Sequence, residues 1–213
     1  MMGKVNQPAG FFIRFIGYFI DIALFWTALL LFLFFSGLST KNLPQLIGSS
    51  IVAISIFGIL GGFIYYFYLA FTTSRFGATV GKMLVGVIVK NEAGNYLTFK
   101  QGLFRYIIGY TVSSLLFGLG FLWIIRDPKK QGWHDMVSGS YVTKTSENRW
   151  IIGVLALLFL IAFNSFIGVG IIQSVIENPN AKRDVEEIIN QVKDTQPQQL
   201  YINPSPQFYP NNY

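Results

Sequence analysis

The sequence contains no cysteine, and only 12% of its 213 residues are charged. Soluble domains average about 25% charged residues, so this chain lacks the charged coat that a soluble globule needs. The absence of cysteine excludes disulfide scaffolds, thiolate metal sites and cysteine nucleophiles. With a single histidine as well, the sequence offers neither a zinc site nor a catalytic triad. We therefore expect no catalytic residues, no bound metal and no cofactor.

Apolar and aromatic residues take the place of the missing charges. Hydrophobic residues make up 52% of the chain and aromatic residues 17%, and the mean hydropathy is +0.47. These values exclude a disordered chain and indicate an integral membrane protein. The net charge of +6 is typical of nucleic-acid binding in soluble proteins. In so apolar a chain, basic loops beside anionic lipid head groups explain it better, and no nucleic-acid partner is expected.

Three apolar runs are long enough to cross a bilayer, which takes about 20 residues. They cover residues 11–35, 46–71 and 150–176. The first run is too long for a signal peptide and lacks a small-residue cleavage site, so we interpret it as a retained helix. A fourth run, 103–125, is also long enough, but it has Arg105 near one end and Gly118 and Gly120 towards the other.

Polar segments between the runs predict small β elements. Residues 85–98 have the pattern of a hairpin, because the β-branched stretch VGVIVK is followed by the turn-like NEAGN and then by YLTF. Residues 138–144 are a further short strand candidate, which could pair with VGVIVK. The sequence therefore predicts a small sheet at the membrane surface.

The tail, residues 177–213, divides into two parts. Its first part is a short amphipathic helix over 181–194, because four apolar residues recur at helical spacing. They are Val185, Ile188, Ile189 and Val192. The rest of the tail has four prolines and no charge, which predicts disorder.

Two basic segments decide the expected topology. One follows the second apolar run, and the other covers residues 126–149. Basic loops favour the cytoplasm, yet these two lie on opposite sides if 103–125 spans the bilayer. If 103–125 enters and returns, both are cytoplasmic, and glycine at 118 permits the bend. We favour this path, with a cytoplasmic N-terminus, over four straight spans.

The expected fold class is thus an all-α polytopic membrane bundle. It has three or four transmembrane helices, depending on whether 103–125 spans or re-enters, and a small cytoplasmic β-hairpin or sheet. The expected location is the cell membrane, as a multi-pass protein of the bacterial cytoplasmic membrane. Its surroundings are the lipid bilayer and either further copies of the chain or a partner membrane protein.

Arg14 and Asp21 are charged residues within the first apolar run. They are two helical turns apart and share a face, with about 10.5 Å of rise between them. A carboxylate at mid-bilayer costs about 2.5–3.5 kcal/mol and normally faces the bundle interior. Arg105 is a candidate partner for Asp21, and Asp135 for Arg14. Two interpretations remain open: a structural lock that fixes helix register and loop docking, and an ion or proton pathway.

Three other patterns have simpler explanations. Gly77–Lys82, GATVGK, has one residue too few between its glycines for a phosphate loop, and Met83 follows the lysine. His134 is interpreted as a surface-loop residue that docks on the bundle. Gly58 and Gly62 have the spacing that lets membrane helices approach closely, which predicts helix packing.

The order of three segments resembles the RDD family of membrane proteins, named for one arginine and two aspartates. The segments are AGFFIRFIGYFID, GATVGKMLVGVIVKNEAGNYLTFKQGLFRY and RDPKKQGWHDMVSGSYV. On this resemblance Arg14, Asp21 and Asp135 are the signature residues, and residues 1–144 form an RDD-like domain. The helix over 150–176 and the tail are additions to the short family form.

The resemblance implies two competing functions, because such proteins have been linked both to cation/proton exchange and to the modulation of membrane partners. In the first, protons or monovalent cations follow a path lined by Asp21 and gated by Arg14 and Asp135. Supporting roles would fall to Arg105, His134 and Lys82. In the second, the protein is a non-catalytic adaptor that binds a partner membrane protein.

Overall fold

The computed structural model describes residues 7–39, 43–145 and 149–201. Helices account for most of the described part. They are α1 (Phe11–Ser39), α2 (Leu43–Phe76), α3 (Val80–Leu84), α4 (Phe99–Phe104), α5 (Tyr110–Arg126), α6 (Trp133–Val137), α7 (Trp150–Ile176) and α8 (Pro179–Tyr201). Residues Arg105–Gly109 form a π-helical turn between α4 and α5, and the strands are β1 (Val87–Asn91) and β2 (Ser140–Lys144).

Four helical stretches of the described chain are long and apolar enough to cross a membrane. They are Phe11–Leu38, Ile47–Phe76, Phe99–Arg126 and Trp150–Ile176. Together with the two-stranded sheet, they confirm the predicted all-α polytopic bundle with a small β element. The first two helices extend a few residues beyond the predicted apolar runs.

α1, α2 and α7 form the straight part of the bundle. Thr27 on α1 donates a hydrogen bond to Asn164 on α7 at 2.9 Å, a polar contact of the kind that joins helices in membranes. Gly153 near the start of α7 lies beside Ile16, and Gly170 near its end lies beside Phe34. α7 therefore runs parallel to α1, and its C-terminal end lies at the same end of the bundle as that of α1.

The third apolar stretch doubles back instead of crossing the bundle. Leu116, Phe117 and Gly118 have φ values of 52°, 58° and 82°, so the helix breaks there. A Cβ atom added at Gly120 would lie 2.5 Å from Ser113 Cα, because the two arms pack directly against each other. Residues 99–126 are thus a re-entrant hairpin with the fully exposed Phe117 at its tip.

The sheet joins the segments that precede and follow this hairpin. β1 pairs with β2 in antiparallel register from Val87–Lys144 to Asn91–Ser140. The chain before α1 also contacts β2, because Ala9 N donates to the carbonyl oxygen of Val142 at 2.9 Å. Both basic segments therefore lie at the end of the bundle where α1 begins, as the re-entrant path requires.

The local hairpin predicted over 85–98 does not form. A turn follows β1, but residues 96–98 are not a strand, and Thr98 begins α4 instead. Thr98 and Gln101 form a reciprocal capping box, which satisfies two free amide groups at a helix start. The buried Val89 pairs with the buried Val142, so the distant strand provides the apolar partner that a local strand would have provided.

The tail differs from the sequence prediction in length. α8 continues to Tyr201, past the predicted amphipathic helix over 181–194 and into the stretch predicted to be disordered. Of the four prolines in this stretch, Pro197 lies within α8 and the other three follow its end. Residues 202–213, which make up most of the predicted disordered segment, lie outside the described residues.

Candidate functional site: a buried charge cluster

Asp135 occupies the centre of a buried charge cluster. Its carboxylate contacts Arg14 Nη1 at 2.6 Å through Oδ2 and Arg105 Nη1 at 2.6 Å through Oδ1. The backbone amide of Gly132 donates to Oδ2 at 2.8 Å, because Asp135 lies in the first turn of α6. The negative charge at this helix N-terminus is also favoured by the helix dipole.

Arg14 connects α1 with three other parts of the chain. Nε donates to the carbonyl oxygen of Ala9 at 2.9 Å, and Nη2 donates to that of Lys130 at 2.5 Å and that of Val142 at 3.4 Å. A guanidinium group has five donors in a fixed planar fork, so it can reach Asp135 and these carbonyls together. Arg14 thereby fixes the start of α1 against β2 and against the loop that follows the hairpin.

Arg105 reaches Asp135 from the opposite side. It lies in the π-helical turn of the re-entrant hairpin, is 1% exposed, and also donates to the hydroxyl of Ser140 on β2. Its Nε has no hydrogen-bond partner among the residues that the structure describes. π-helical turns often occur at functional sites. The unsatisfied Nε of Arg105 therefore marks this turn as a candidate site.

The electrostatics of Asp135 follow from these contacts. Burial on its own would raise the pKa of Asp135, but the guanidinium groups of Arg105 and Arg14 hold it well below its ordinary value. Asp135 is therefore ionised, and its single carboxylate is the counter-ion of both Arg14 and Arg105. Removing it would leave two buried positive charges without a partner, which is costly in a medium of low dielectric.

His134 is buried beside this cluster as a neutral side chain. Burial lowers the pKa of His134 to about 3, outweighing the opposite effect of Asp135. Its Nδ1 lies 3.1 Å from the hydroxyl of Ser113 in the hairpin, which also accepts the His134 backbone amide at 2.8 Å. The ring packs against Tyr110 and Phe121. His134 thus docks α6 on the hairpin, and it is buried rather than at a loop surface.

Asp21 lies in a separate polar pocket and accepts three hydrogen bonds. They come from Tyr68 Oη at 2.9 Å, Thr79 Oγ1 at 2.5 Å and the backbone amide of Gly81 at 2.8 Å. Within the described residues Asp21 forms no ion pair. The expected partner, Arg105, binds Asp135 instead.

The predicted contact between Asp21 and Arg105 does not form, because two neutral hydroxyls and an amide already surround the Asp21 carboxylate. Thr79 is the N-cap of α3, so the short helix presents its first amide groups to the carboxylate. A negative charge at a helix N-terminus is favourable without a cation. The sequence GATVGK therefore has a structural role, because its Thr79 and Gly81 donate hydrogen bonds to the Asp21 carboxylate.

Lys82 is a buried cation close to this pocket. It is 4% exposed, its Nζ donates to Tyr106 Oη at 2.9 Å, and it lies 4.9 Å from the centroid of the Tyr106 ring. Tyr106 Oη in turn lies 2.7 Å from Thr73 Oγ1. No carboxylate of the described chain forms an ion pair with Lys82. The hydroxyl and the ring face of Tyr106 stabilise its charge instead.

The structure therefore brings Arg14, Arg105, His134 and Asp135 together and leaves Asp21 in its own pocket. The residues that complete both places are polar but uncharged, and none of them is among the site residues predicted from the sequence. They are Tyr68, Thr73, Thr79, Tyr106, Ser113 and Ser140. Of these, Thr79 had a usable signal, because threonine before a short apolar stretch is a common N-cap.

The glycine pair Gly58 and Gly62 does not bring helices together within the described part of the chain. A Cβ atom at either position would meet no described residue within 4 Å. The close contact occurs at Gly61, where an added Cβ would lie 2.9 Å from the Phe25 ring of α1. The spacing of small residues was a poor guide because Gly61 lies on a different face of α2.

The described ranges hold no group of three histidine or carboxylate side chains that could bind a metal ion. The cluster consists of cations, one shared carboxylate and a neutral imidazole, all at the junction of α1, the hairpin, α6 and β2. Such an arrangement can fix the relative positions of these four elements, and it can attract an anion.

Comparison with known proteins matches more than half of the chain to one family. The RDD family model matches residues 8–139, which include Arg14, Asp21 and Asp135. The uncharacterized protein YxaI of Bacillus subtilis (strain 168) is 32% identical over a 156-residue alignment that covers 62% of this chain and 95% of that protein. The uncharacterized membrane protein YteJ of the same organism is 29% identical over 136 residues, 63% of this chain and 79% of YteJ. No solved structure matches the chain significantly.

Proposed function

The chain belongs to the RDD family of membrane proteins, and we propose that this member is a non-catalytic adaptor that binds a partner protein through helix α8. The observation that carries the proposal is the unpacked apolar face of α8. Val185, Ile188, Ile189 and Val192 lie along this face, and they are 42%, 52%, 46% and 53% exposed. None of the described α8 side chains is buried.

An amphipathic helix gains most of its stability from packing of its apolar face. The α8 face therefore needs either a protein partner or a lipid interface. Its charge favours a protein, because the residues of α8 include four acidic and three basic side chains. Helices that lie on anionic membranes are usually rich in lysine and arginine.

The charge cluster supports the proposal from the other end of the molecule. Its ionised groups contact one another or backbone carbonyls, and Asp21 accepts three hydrogen bonds from neutral donors. These contacts hold the helices in one arrangement, which suits a scaffold that presents a binding helix. The proposal gives Arg14 and Asp135 a structural role.

Site-specific photocrosslinking tests the adaptor function. A photoreactive phenylalanine analogue replaces Ile188 on the apolar face of α8, and the matched control carries it at Glu187 on the opposite face. We expect a discrete protein adduct from position 188 alone, and Ile189→Asp should abolish it. Equal adducts from both positions, or lipid adducts only, would refute the proposal.

A second candidate function, transport of protons or monovalent cations, is favoured by one observation. Asp21 is a buried carboxylate without an ion pair among the described residues, and intramembrane carboxylates of this kind often mark ion pathways. Exchange would require the carboxylate to bind a proton and a cation in alternation. The three hydrogen bonds it accepts would have to rearrange in each cycle.

Everted vesicles distinguish the two functions. Transport predicts that sodium, potassium or lithium alters the vesicle pH gradient with the native protein and that Asp21→Asn abolishes the response while the variant still folds. The adaptor function predicts no response with either protein. Asp21→Asn would then affect only folding or the crosslink from position 188.

A further inference from the structure

A cavity of about 380 Å³ lies between α1 and the re-entrant hairpin. Most of its wall is apolar and aromatic, including Phe15, Phe19 and Leu122, and its polar end lies against the charge cluster. Its volume falls at the small end of the range for ligand pockets, roughly 300–1,000 Å³. It could hold a head group and part of a single chain.

The charge of the wall is one-sided. Arg14, Lys82 and Arg105 all line the cavity, whereas neither Asp21 nor Asp135 does. His134, which also lines it, is neutral because its pKa is lowered to about 3 by burial. Asp135, outside the wall, neutralises one of the two arginines, so a net positive charge faces a space that no carboxylate of the described residues lines. This favours an anion there.

Two of these cations have unused binding capacity. Arg105 Nε is buried and has no hydrogen-bond partner within residues 7–39, 43–145 and 149–201, and buried donors without a partner are uncommon in native structures. Lys82 Nζ has three donor positions, of which the Tyr106 hydroxyl takes one. An anionic group at the polar end of the cavity would satisfy these donors.

The other end of the cavity opens towards the membrane. Phe15 and Leu122 are each 45% exposed, and Phe117 at the hairpin tip is fully exposed. These residues belong to apolar stretches long enough to cross the bilayer, so their exposed surfaces face acyl chains. A ligand can therefore enter laterally from the lipid.

We propose that this cavity binds a single-chain amphiphile with an anionic head group. The head group contacts Arg105 and Lys82, and the chain lies along the aromatic wall between α1 and the hairpin. A free fatty acid and an anionic lysophospholipid share this chemistry. The proposal does not depend on the adaptor function, because it concerns the opposite end of the bundle from α8.

The test uses the purified full-length chain in a non-ionic detergent. Oleate and oleoyl lysophosphatidylglycerol are the two anionic probes, and oleyl alcohol is the uncharged control with the same chain. Binding is measured by native mass spectrometry and by the rise in apparent unfolding temperature. The two anionic probes distinguish a carboxylate ligand from a phosphate ligand.

Two variants locate the site. Lys82→Met removes a cation from the polar end, and we expect it to weaken binding about tenfold, the loss typical of one charged hydrogen bond. Leu122→Trp fills the apolar end without changing charge, and it should also weaken binding. Lys100→Met removes an exposed lysine outside the cavity and should leave binding unchanged.

The results that support the proposal differ from those that would overturn it. Binding of either anionic probe, little binding of oleyl alcohol, and weakening by Leu122→Trp support the proposal even if Lys82→Met does not fold. Equal binding of oleyl alcohol and the anionic probes would overturn it. Native affinity in both cavity variants would also overturn it, because the probe would then be acting as a detergent on the apolar surface.

Discussion

The side chains of Arg14 and Asp135 meet at 2.6 Å although the residues are 121 positions apart. The pair joins the first turns of α1 to the short helix α6, which follows the re-entrant hairpin. Arg105 binds the same carboxylate from within that hairpin. One carboxylate therefore joins three segments of the chain: the start of α1, the hairpin and α6.

Asp135→Asn should destabilise the protein strongly. The amide keeps the size of the side chain but removes its negative charge, which leaves Arg14 and Arg105 buried without a counter-ion. Breaking a buried ion pair by removing one partner costs about 3–5 kcal/mol. We expect a large fall in the apparent unfolding temperature, measured by the loss of the monodisperse chromatography peak after heating in detergent.

Glu92→Gln is the matched control, because it removes the same charge from an exposed residue. Its effect should be within about 0.5 kcal/mol. If the two variants lose the same stability, the cluster does not hold the hairpin. The variant Asp135→Glu keeps the charge but lengthens the side chain, and it should give an intermediate result.

The stability should decrease as the pH falls below neutrality. The pKa of His134 is lowered to about 3 from 6.5, so the folded state favours the neutral ring. This contribution is complete above pH 6.5 and is progressively lost as the pH falls towards the folded pKa. Asp135 also has a lowered pKa, but its contribution is lost only below its ordinary value of 3.8.

The variant His134→Gln tests this assignment. Glutamine can still bond to the Ser113 hydroxyl but takes up no proton in this range. Between pH 7 and pH 5 the unfolding temperature of the native protein should fall more steeply than that of the variant. Parallel curves would show that His134 does not contribute to the acid sensitivity.

The sequence predicts part of the cluster because charge is rare in this chain. A buried arginine needs an acid, and Asp135 is one of few candidates, so the Arg14–Asp135 pair could be anticipated. The donors to Asp21 could not be, since Tyr68, Thr79 and the amide of Gly81 are neutral. Their positions follow from the packing of α2 and α3 against α1, which sequence spacing does not reveal.

The fold, like the charge cluster, could be predicted from the sequence only in part. Hydropathy alone predicts the apolar helices, and the distribution of basic residues favours the re-entrant path that the structure has. The predicted pairing of residues 138–144 with VGVIVK is confirmed, whereas the local turn after β1 wrongly suggested a hairpin with residues 96–98. The capping box at Thr98 and the apolar match between Val89 and Val142 decided the pairing instead.

The re-entrant path predicts which loops share a side of the membrane. Because the native chain has no cysteine, single-cysteine variants give an unambiguous label. Ala93→Cys, in the turn after β1, and Lys129→Cys, after the hairpin, should react with an impermeant maleimide from the same side. Glu187→Cys on α8 should react from the other side, because α7 crosses between them.

Sealed vesicles of both orientations provide the measurement. The positive-inside rule assigns Ala93 and Lys129 to the cytoplasmic side, so both should label in everted vesicles and Glu187 in right-side-out vesicles. Labelling of Ala93 and Lys129 from opposite sides would contradict the hairpin. All three variants must first label fully in detergent, which excludes a merely buried thiol.

Gly120→Ala should destabilise the hairpin. An added Cβ would lie 2.5 Å from the backbone at Ser113 and 2.9 Å from the Trp133 ring, so the arms or α6 would have to move apart. Gly58→Ala is the matched control, because nothing lies within 4 Å of its added Cβ. There alanine should be neutral or stabilising by up to about 1 kcal/mol, since glycine is the weaker helix former. The apparent unfolding temperature of the Gly120 variant should therefore fall, and that of the Gly58 variant should rise or stay the same. A fall of the same size in both would mean that the arms are not in direct contact.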